Sequence, residues 1–369
     1  MKYYIISGEA SGDLHASNLI KEIKKLDPEA NFRAWGGDLV ENEGAFLVTH
    51  YKHIAFMGFW EVFKNISKIL KYIDYCKKDI SAYKPHLLIL VDYPGFNLRI
   101  ARFAKENSHK TMYYISPQIW AWKTSRVEII KKFIDKVVVI LPFEKEFYKR
   151  FDVDAEYVGH PLLDAIEEFN KNPIKSYSTE KPILALLPGS RIQEIENILP
   201  EMLGAALQKS EFEIIVSCAP SIPIDVYNKI IGNKNVKLWQ NKTYSLLQIA
   251  SCALVTSGTA TLETALFRVP LVVCYKGGRL SYLIAKSLVK LKYISLVNLI
   301  MDRAIVEELI QEKCNSKEIL LALNRINETE NRNRILSEYD YLINKLGNSG
   351  ASANAAKIAV DFARKKILY

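Results

Sequence analysis

The chain has 369 residues, 49% hydrophobic and 25% charged, with a formal net charge of +9. That size favours two domains of ordinary length, and the balance is globular rather than disordered or fibrous. No run of about 18 apolar residues occurs, so no transmembrane helix is expected, and five widely spaced cysteines give neither metal-type pairs nor a disulfide framework.

The first residues read as a strand over 3–7, too short for a signal peptide. A helix is expected over 13–25, with Leu14, Leu19, Ile20 and Ile23 on its apolar side. Strands follow at 32–35, 86–91, 112–115, 137–141 and 155–158. Unbroken apolar runs such as Leu87-Leu-Ile-Leu-Val91 suit parallel strands covered on both faces. The polar stretch 168–181, with Asn170, Asn172, Pro173 and Ser176, reads as a boundary. Beyond it strands are expected at 183–187, 213–218, 236–239, 252–255 and 270–275, then a helical tail over 316–369. The alanine-rich segment 351–366 follows Gly347-Asn-Ser-Gly350 and is expected to pack back on the first domain. The predicted fold is therefore two doubly wound α/β domains, 1–168 and 169–345, with a C-terminal helical segment at 346–369. Ligands would bind in a cleft at the carboxyl ends of both sheets.

Two strand–turn–helix junctions suit phosphate. After the strand ending at Val255, the turn Ser257-Gly258-Thr259 starts a helix whose N–H groups and dipole favour an anion, and Glu263 lies one turn further on, within reach of a ribose. The turn Leu187-Pro-Gly-Ser-Arg191 adds a guanidinium, the group best shaped to fork onto phosphate. Together they point to a nucleoside diphosphate.

Other post-strand loops are ambiguous on sequence alone. Gly8-Glu-Ala-Ser-Gly-Asp13, which includes Ser11 and Gly12, is either a binding loop or a tight turn, and its glycine spacing is not the dinucleotide fingerprint. Asp92, in Val91-Asp-Tyr-Pro-Gly-Phe-Asn97, is either a general base or a cap for the next helix. Trp120 and Trp122 line a sugar or acyl pocket or else fill core. His160, between Gly159 and Pro161, contacts the donor or sets a hinge, and His15 is similarly open. Asp152-Val-Asp154 precedes a strand instead of following one, so it reads as a solvated turn, and no metal and no cofactor are expected.

The positive charge suits an anionic membrane or a phosphorylated substrate, or else reflects a lysine-rich proteome. No signature of a nucleic-acid reader is present. Two basic amphipathic stretches, 56–73 (Phe59, Phe63, Ile66, Leu70 and Ile73 opposite Lys64, Lys68 and Lys71) and 276–292, suit a bilayer surface or ordinary core contact.

In their order along the chain, Gly8-Glu-Ala-Ser-Gly-Asp13, Val91-Asp-Tyr-Pro-Gly-Phe-Asn97, Ser116-Pro-Gln-Ile-Trp-Ala-Trp122, Leu141-Pro-Phe-Glu144, Tyr157-Val-Gly-His-Pro-Leu162, Leu187-Pro-Gly-Ser-Arg191 and Ser257-Gly-Thr-Ala-Thr-Leu-Glu263 resemble the lipid-A-disaccharide synthase family of bacterial glycosyltransferases. The resemblance implies a GT-B fold, two Rossmann-like domains around a cleft. It implies metal-independent transfer of 2,3-diacylglucosamine from UDP-2,3-diacylglucosamine to 2,3-diacylglucosamine 1-phosphate at the cytoplasmic face of the inner membrane. A homodimer is also open. Asp92 matches the candidate base. Arg191, Ser257, Gly258, Thr259 and Glu263 match UDP-binding positions, and Asn298, Glu308 and Gln311 fall in the later donor region. Ser11, Gly12, His15, Trp120, Trp122 and His160 join the substrate-binding set. In the later donor region the chain reads Ile305-Val306-Glu307-Glu308 where the family usually has a Pro before the Glu, which leaves Glu307 and Glu308 as alternatives. Gly95 replaces an acid found in some relatives, and Lys123 stands where Arg is common. Competing readings are another GT-B enzyme using UDP-N-acetylglucosamine, or a non-catalytic nucleotide- or nucleic-acid-binding protein.

Overall fold

The computed structural model describes residues 1–54, 66–122, 125–173, 177, 179–278 and 292–365, without the side chains of residues 66, 121 and 122. The chain forms two units. One comprises Met1–Asp164 together with Asn348–Tyr369, the other Ala165–Gly347.

The first unit is built on a seven-stranded sheet of β1 (Lys2–Ser7), β2 (Asn31–Gly36), β3 (Phe46–His50), β4 (Leu87–Val91), β5 (Thr111–Tyr114), β6 (Lys136–Val139) and β7 (Ala155–Tyr157). Its order is β3-β2-β1-β4-β5-β6-β7, and every pairing is parallel. Side chains alternate across it. Tyr4, Ile6, Trp35, Leu88, Leu90 and Tyr113 fill one core layer, and Tyr3, Ile5, Phe32, Ala34, Ile89 and Met112 fill the other.

The second unit has six parallel strands: β8 (Ile183–Leu187), β9 (Glu213–Cys218), β10 (Lys237–Gln240), β11 (Ala250–Thr256), β12 (Leu271–Tyr275) and β13 (Glu307–Ile310). Their order is β10-β9-β8-β11-β12-β13. Each sheet reverses its winding once, between β1 and β4 and between β8 and β11. Loops diverge at such a point and leave a crevice beyond the strand ends.

The two strands absent from the sequence reading, β3 and β13, are edge strands, and most of their residues are half-exposed. They therefore lack the continuous apolar run that marks the central ones. The first helix, Ala10–Leu26, starts earlier than expected, which puts Ser11 and Gly12 in its first turn. Leu14 is a correction: it is 46% exposed and lies off the packed face. Of the first amphipathic stretch, residues 56–65 lie outside the described residues. In the helix Ile66–Tyr83 that follows, Ile73 is buried and Leu70 is 50% exposed. Residues 279–291 of the second stretch also lie outside. No helix among the described residues is long and apolar enough to cross a membrane. All five cysteines are buried and free.

The terminal helix, Ala351–Arg364, lays Ala355, Ala356, Ala359 and Val360 into the layer formed by Tyr3, Ile5 and the first helix. It is held at both ends. The Asp164 carboxylate accepts from the N–H groups of Gly350, Ala351 and Ser352 at 2.6, 3.1 and 3.0 Å. The Lys110 ammonium donates to the carbonyls of Phe362, Ala363 and Lys365. Both contacts satisfy backbone groups that every helix leaves unpaired.

Candidate functional site

In the first unit, β1 and β4 end side by side at the winding reversal. Glu9 follows β1 as the N-cap residue of the first helix, and Asp92 follows β4. The Glu9 carboxylate lies close enough to Asp92 to raise its proton affinity. Burial, and then the Glu9 charge, push Asp92 up to about 6, while the N–H of Tyr93 opposes the rise. Asp92 does not cap the helix Pro94–Glu106, whose N-cap residue is Tyr93 with no side-chain cap bond.

The turn carrying Asp92 is held against strain. Asp92 and Tyr93 have φ of 44° and 50°, a left-handed pair of non-glycine residues. The Asp92 carbonyl accepts from the Tyr113 hydroxyl at 2.6 Å and from the Asn97 amide at 2.7 Å. The Tyr93 hydroxyl donates to the Ile54 carbonyl at 2.7 Å. Gly8 has no room for a side chain, since a Cβ there would lie 2.2 Å from the Tyr93 ring. The loops after β1 and β4 are therefore fitted to each other.

Asp92 opens into a cavity of about 230 Å³ at the ends of β4, β5 and β6, which also holds Ser116, Gln118, Arg126 and Glu144. Glu144 lies in Leu141-Pro-Phe-Glu144. One of its oxygens accepts from the Leu141 N–H at 3.0 Å and the other from the Trp120 indole at 3.1 Å. Burial raises its carboxyl to about 7, against those donors. Trp120 sits edge-on to Phe143, so it braces Glu144 and is absent from the cavity lining. Trp122 ends the short helix Ile119–Trp122, and its side chain and all of Lys123 lie outside the described residues.

His15 and His160 group with Asp164 near the start of the terminal helix, and neither lines that cavity. Burial pulls both imidazoles down to about 4, which keeps them neutral at pH 7. The His160 Nδ1 accepts from the Leu162 N–H at 3.2 Å. Asp13 is buried and accepts from the N–H groups of Gly37, Leu39 and Val40. Its work is to hold the turn after β2.

In the second unit, the loops after β8 and β11 line a pocket of about 440 Å³ containing Arg191, Ser257, Gly258, Thr259 and Glu263. Gly258 has φ of 148° and heads the helix Thr259–Leu266, a backbone conformation that side chains rarely adopt. The Arg191 guanidinium is 71% exposed and pairs with Glu194 at 3.2 Å, while the other Glu194 oxygen accepts from the Ser190 N–H. A carboxylate thus rests on the same N–H and guanidinium donors that suit a phosphate. Glu263 accepts from the Tyr244 hydroxyl at 2.9 Å, and burial raises its proton affinity.

Strand alternation separates the two adjacent glutamates. Glu307 turns to a two-pronged pair with Arg325. Glu308 accepts from the N–H groups of Ile294 and Ser295, the Ser295 hydroxyl and the Asn298 amide. Ser257 donates to the Ile294 carbonyl, which links this cluster to the pocket. Asn298 is fully buried, with its amide bonded to Ile305, Val306 and Glu308, so it shapes the loop and presents nothing to the pocket. Gln311 follows β13 with φ of 55°. It is 5% exposed, and its side-chain nitrogen has no partner among the described residues.

Sequence reasoning missed Glu9, Arg126, Glu144 and Glu194. Glu9 and Glu144 stand inside recognised motifs, but only the strand order and the turn after β6 bring them beside Asp92. Asp152 and Asp154 are exposed ahead of β7 and pair with Lys131 and Lys136. No group of three metal-ligating side chains occurs among the described residues.

A family model described as lipid-A-disaccharide synthetase matches residues 3–362. A lipid-A-disaccharide synthase of Syntrophus aciditrophicus is 37% identical, with 98% of this chain and 97% of that protein covered. Lipid-A-disaccharide synthase 1 of Legionella pneumophila is 34% identical, with 96% of each covered. Among solved structures, a UDP-GlcNAc 2-epimerase from Neisseria meningitidis bound to UDP-GlcNAc superposes with a TM-score of 0.63 at 12% identity, over 98% of this chain and 99% of that one. The calicheamicin glycosyltransferase does so with 0.63 at 15%, over 98% of each. These structural likenesses show the fold class, two parallel-sheet α/β units of the GT-B kind.

Proposed function

Because the chain belongs to the lipid-A-disaccharide synthase family, we propose that it transfers 2,3-diacylglucosamine from UDP-2,3-diacylglucosamine to 2,3-diacylglucosamine 1-phosphate. The products are the β-1′,6-linked disaccharide 1-phosphate and UDP. The reading is carried by the Asp92 carboxylate, set at the winding reversal of the first sheet with raised proton affinity and opening into a cavity. Asp92 takes the proton of the acceptor's 6-hydroxyl. That oxygen forms a bond to the anomeric carbon in line with the departing diphosphate, so configuration inverts and the electron pair of the broken bond leaves with UDP. Glu9 and burial keep Asp92 basic enough for the task, while Asn97 and Tyr113 fix its backbone.

The donor's diphosphate sits in the second-unit pocket, displacing Glu194 from the Ser190 N–H and Arg191. Its negative charge is met there by the guanidinium and by the helix N-terminus at Gly258 and Thr259. Glu263 meets the ribose, and Glu308 and Gln311 shape the neighbouring loop. No metal enters this scheme. Ser11 and Gly12 lie in the helix turn next to Glu9 and complete the acceptor side. His15 and His160 support that side through the terminal helix. The net charge of +9 suits an enzyme docked on an anionic membrane surface, here the cytoplasmic face of the inner membrane. A homodimer is compatible with the scheme.

UDP release is to be measured with both lipid substrates in neutral detergent micelles, with and without EDTA, for the wild type and Asp92→Asn. Acceptor-dependent turnover is expected that survives chelation and falls at least roughly a hundredfold in the variant. Full turnover in Asp92→Asn would move the base elsewhere. Loss of turnover with EDTA would overturn the metal-free scheme.

A further inference from the structure

The half-buried Glu263 lines the second-unit pocket, and one of its oxygens accepts from the Tyr244 hydroxyl at 2.9 Å. Its other oxygen carries no hydrogen bond among the described residues. Tyr244 belongs to the helix Thr243–Ile249 and is absent from the pocket lining, although Thr243 beside it is present there. The phenol ring is fixed from two sides. Phe169 stands edge-on to it at 5.7 Å between ring centres, and Phe267 lies tilted against it at 5.2 Å. Phe267 closes the helix Thr259–Leu266 that carries Glu263, so ring and carboxylate are referred to the same short helix.

We infer that Tyr244 is the positioning residue that aims Glu263 at the ribose and so gives the pocket a preference for ribonucleotides. The inference rests on the proposed donor site, in which Glu263 meets the ribose. The terminal torsion of a glutamate is broad, so an untied carboxylate would sweep through many directions. Tying one oxygen to a fixed phenol leaves the other to accept from a sugar hydroxyl in one direction. The same bond serves the charge. Burial pushes the Glu263 carboxyl up, and the Tyr244 donation opposes that rise. Burial and the Glu263 charge push the phenol up in turn, so it stays protonated and donates throughout the neutral range. A nucleotide without ribose hydroxyls would leave the free oxygen of a desolvated carboxylate unpaired, which is the kind of loss that discriminates strongly.

The test compares binding of UDP and of 2′,3′-dideoxy-UDP by calorimetry, at pH 8 and at successively lower pH, for the wild type, Tyr244→Phe, Glu263→Gln and the double variant. The wild type should prefer UDP by roughly ten- to a hundredfold at pH 8, the range for hydrogen bonds to a charged group. Tyr244→Phe should lose most of that preference while its affinity for the dideoxy nucleotide stays unchanged. What preference it keeps should fade on acidification at a higher pH than in the wild type, because a buried carboxylate without its donor holds a proton more tightly. The double variant should match Glu263→Gln, and it stands in if Tyr244→Phe does not fold, since it buries no unpartnered charge. An intact preference in Tyr244→Phe, an equal loss of affinity for both nucleotides, or a further loss in the double variant would overturn the inference and leave the ribose contact in place. A wild type that binds the two nucleotides equally, or binds neither, would overturn the donor-site reading as well.

Discussion

Asp92→Asn should make the first unit more stable at pH 8 while removing turnover. Burial and the Glu9 carboxylate raise Asp92 from the ordinary 3.8 to about 6. The folded state therefore holds this proton more tightly than the unfolded chain, and stability falls as pH rises between those values. At 1.36 kcal/mol per pH unit, the ionised carboxylate costs folding about 3 kcal/mol above pH 7. Almost none of that cost remains below about pH 3, and about half of it is present at pH 5. Asparagine keeps the shape, tolerates the left-handed backbone and carries no charge, so it relieves the cost. Urea unfolding at pH 8 and pH 5, followed by hydrogen exchange of peptides from β1 and β4, separates this unit from the other. The variant should gain about 3 kcal/mol at pH 8 and about half as much at pH 5. A variant less stable than the wild type at pH 8, or a gain independent of pH, would refute the argument that the carboxylate is held there at the expense of the fold.

The same titration sets a rate profile. Because Asp92 must be ionised to act, kcat/KM for the acceptor should climb with pH through about 6, and Glu9→Gln should move the climb to lower pH in initial-rate measurements. Glu308→Gln should weaken UDP binding roughly tenfold by calorimetry, because it loosens the loop bonded to Ser257. Glu307→Gln, which loses only its pair with Arg325, should leave UDP affinity unchanged. Asp164→Ala frees three N–H groups at the head of the terminal helix and should cost about 1–2 kcal/mol, read as faster hydrogen exchange over residues 351–364.

Central strands were legible in the chain because burial on both faces leaves an unbroken apolar run, as in Leu87–Val91. The edge strands β3 and β13 carry no such run. Both phosphate turns were legible because Gly189 and Gly258 mark positive φ with a residue suited to it. The strained turn at Asp92 and Tyr93 uses no glycine and so left no mark. Its trace is displaced to Gly8, which is small because Tyr93 covers it. Strand periodicity explains why Glu307 and Glu308 could not be told apart beforehand. They face opposite sides of β13, and the face that turns to the pocket depends on a register that only the sheet fixes. Glu9 stood within a recognised motif, but its value comes from lying beside Asp92, a consequence of β1 pairing with β4.

The terminal helix has a consequence for synthesis. Residues 348–365 leave the ribosome after the whole of the second unit, yet they cover part of the first unit's sheet. The second unit is one continuous piece and can close on itself as it emerges. The first must wait with the seat of Ala355, Ala356 and Val360 open to water, so completion runs against the usual amino-to-carboxyl order. A product released early at Gly347 would contain every side chain of both pockets and still lack the piece that finishes the first core. Early termination would then yield a sticky, incomplete molecule, because the helix Ala351–Arg364 is part of the first unit's core and no mere appendage.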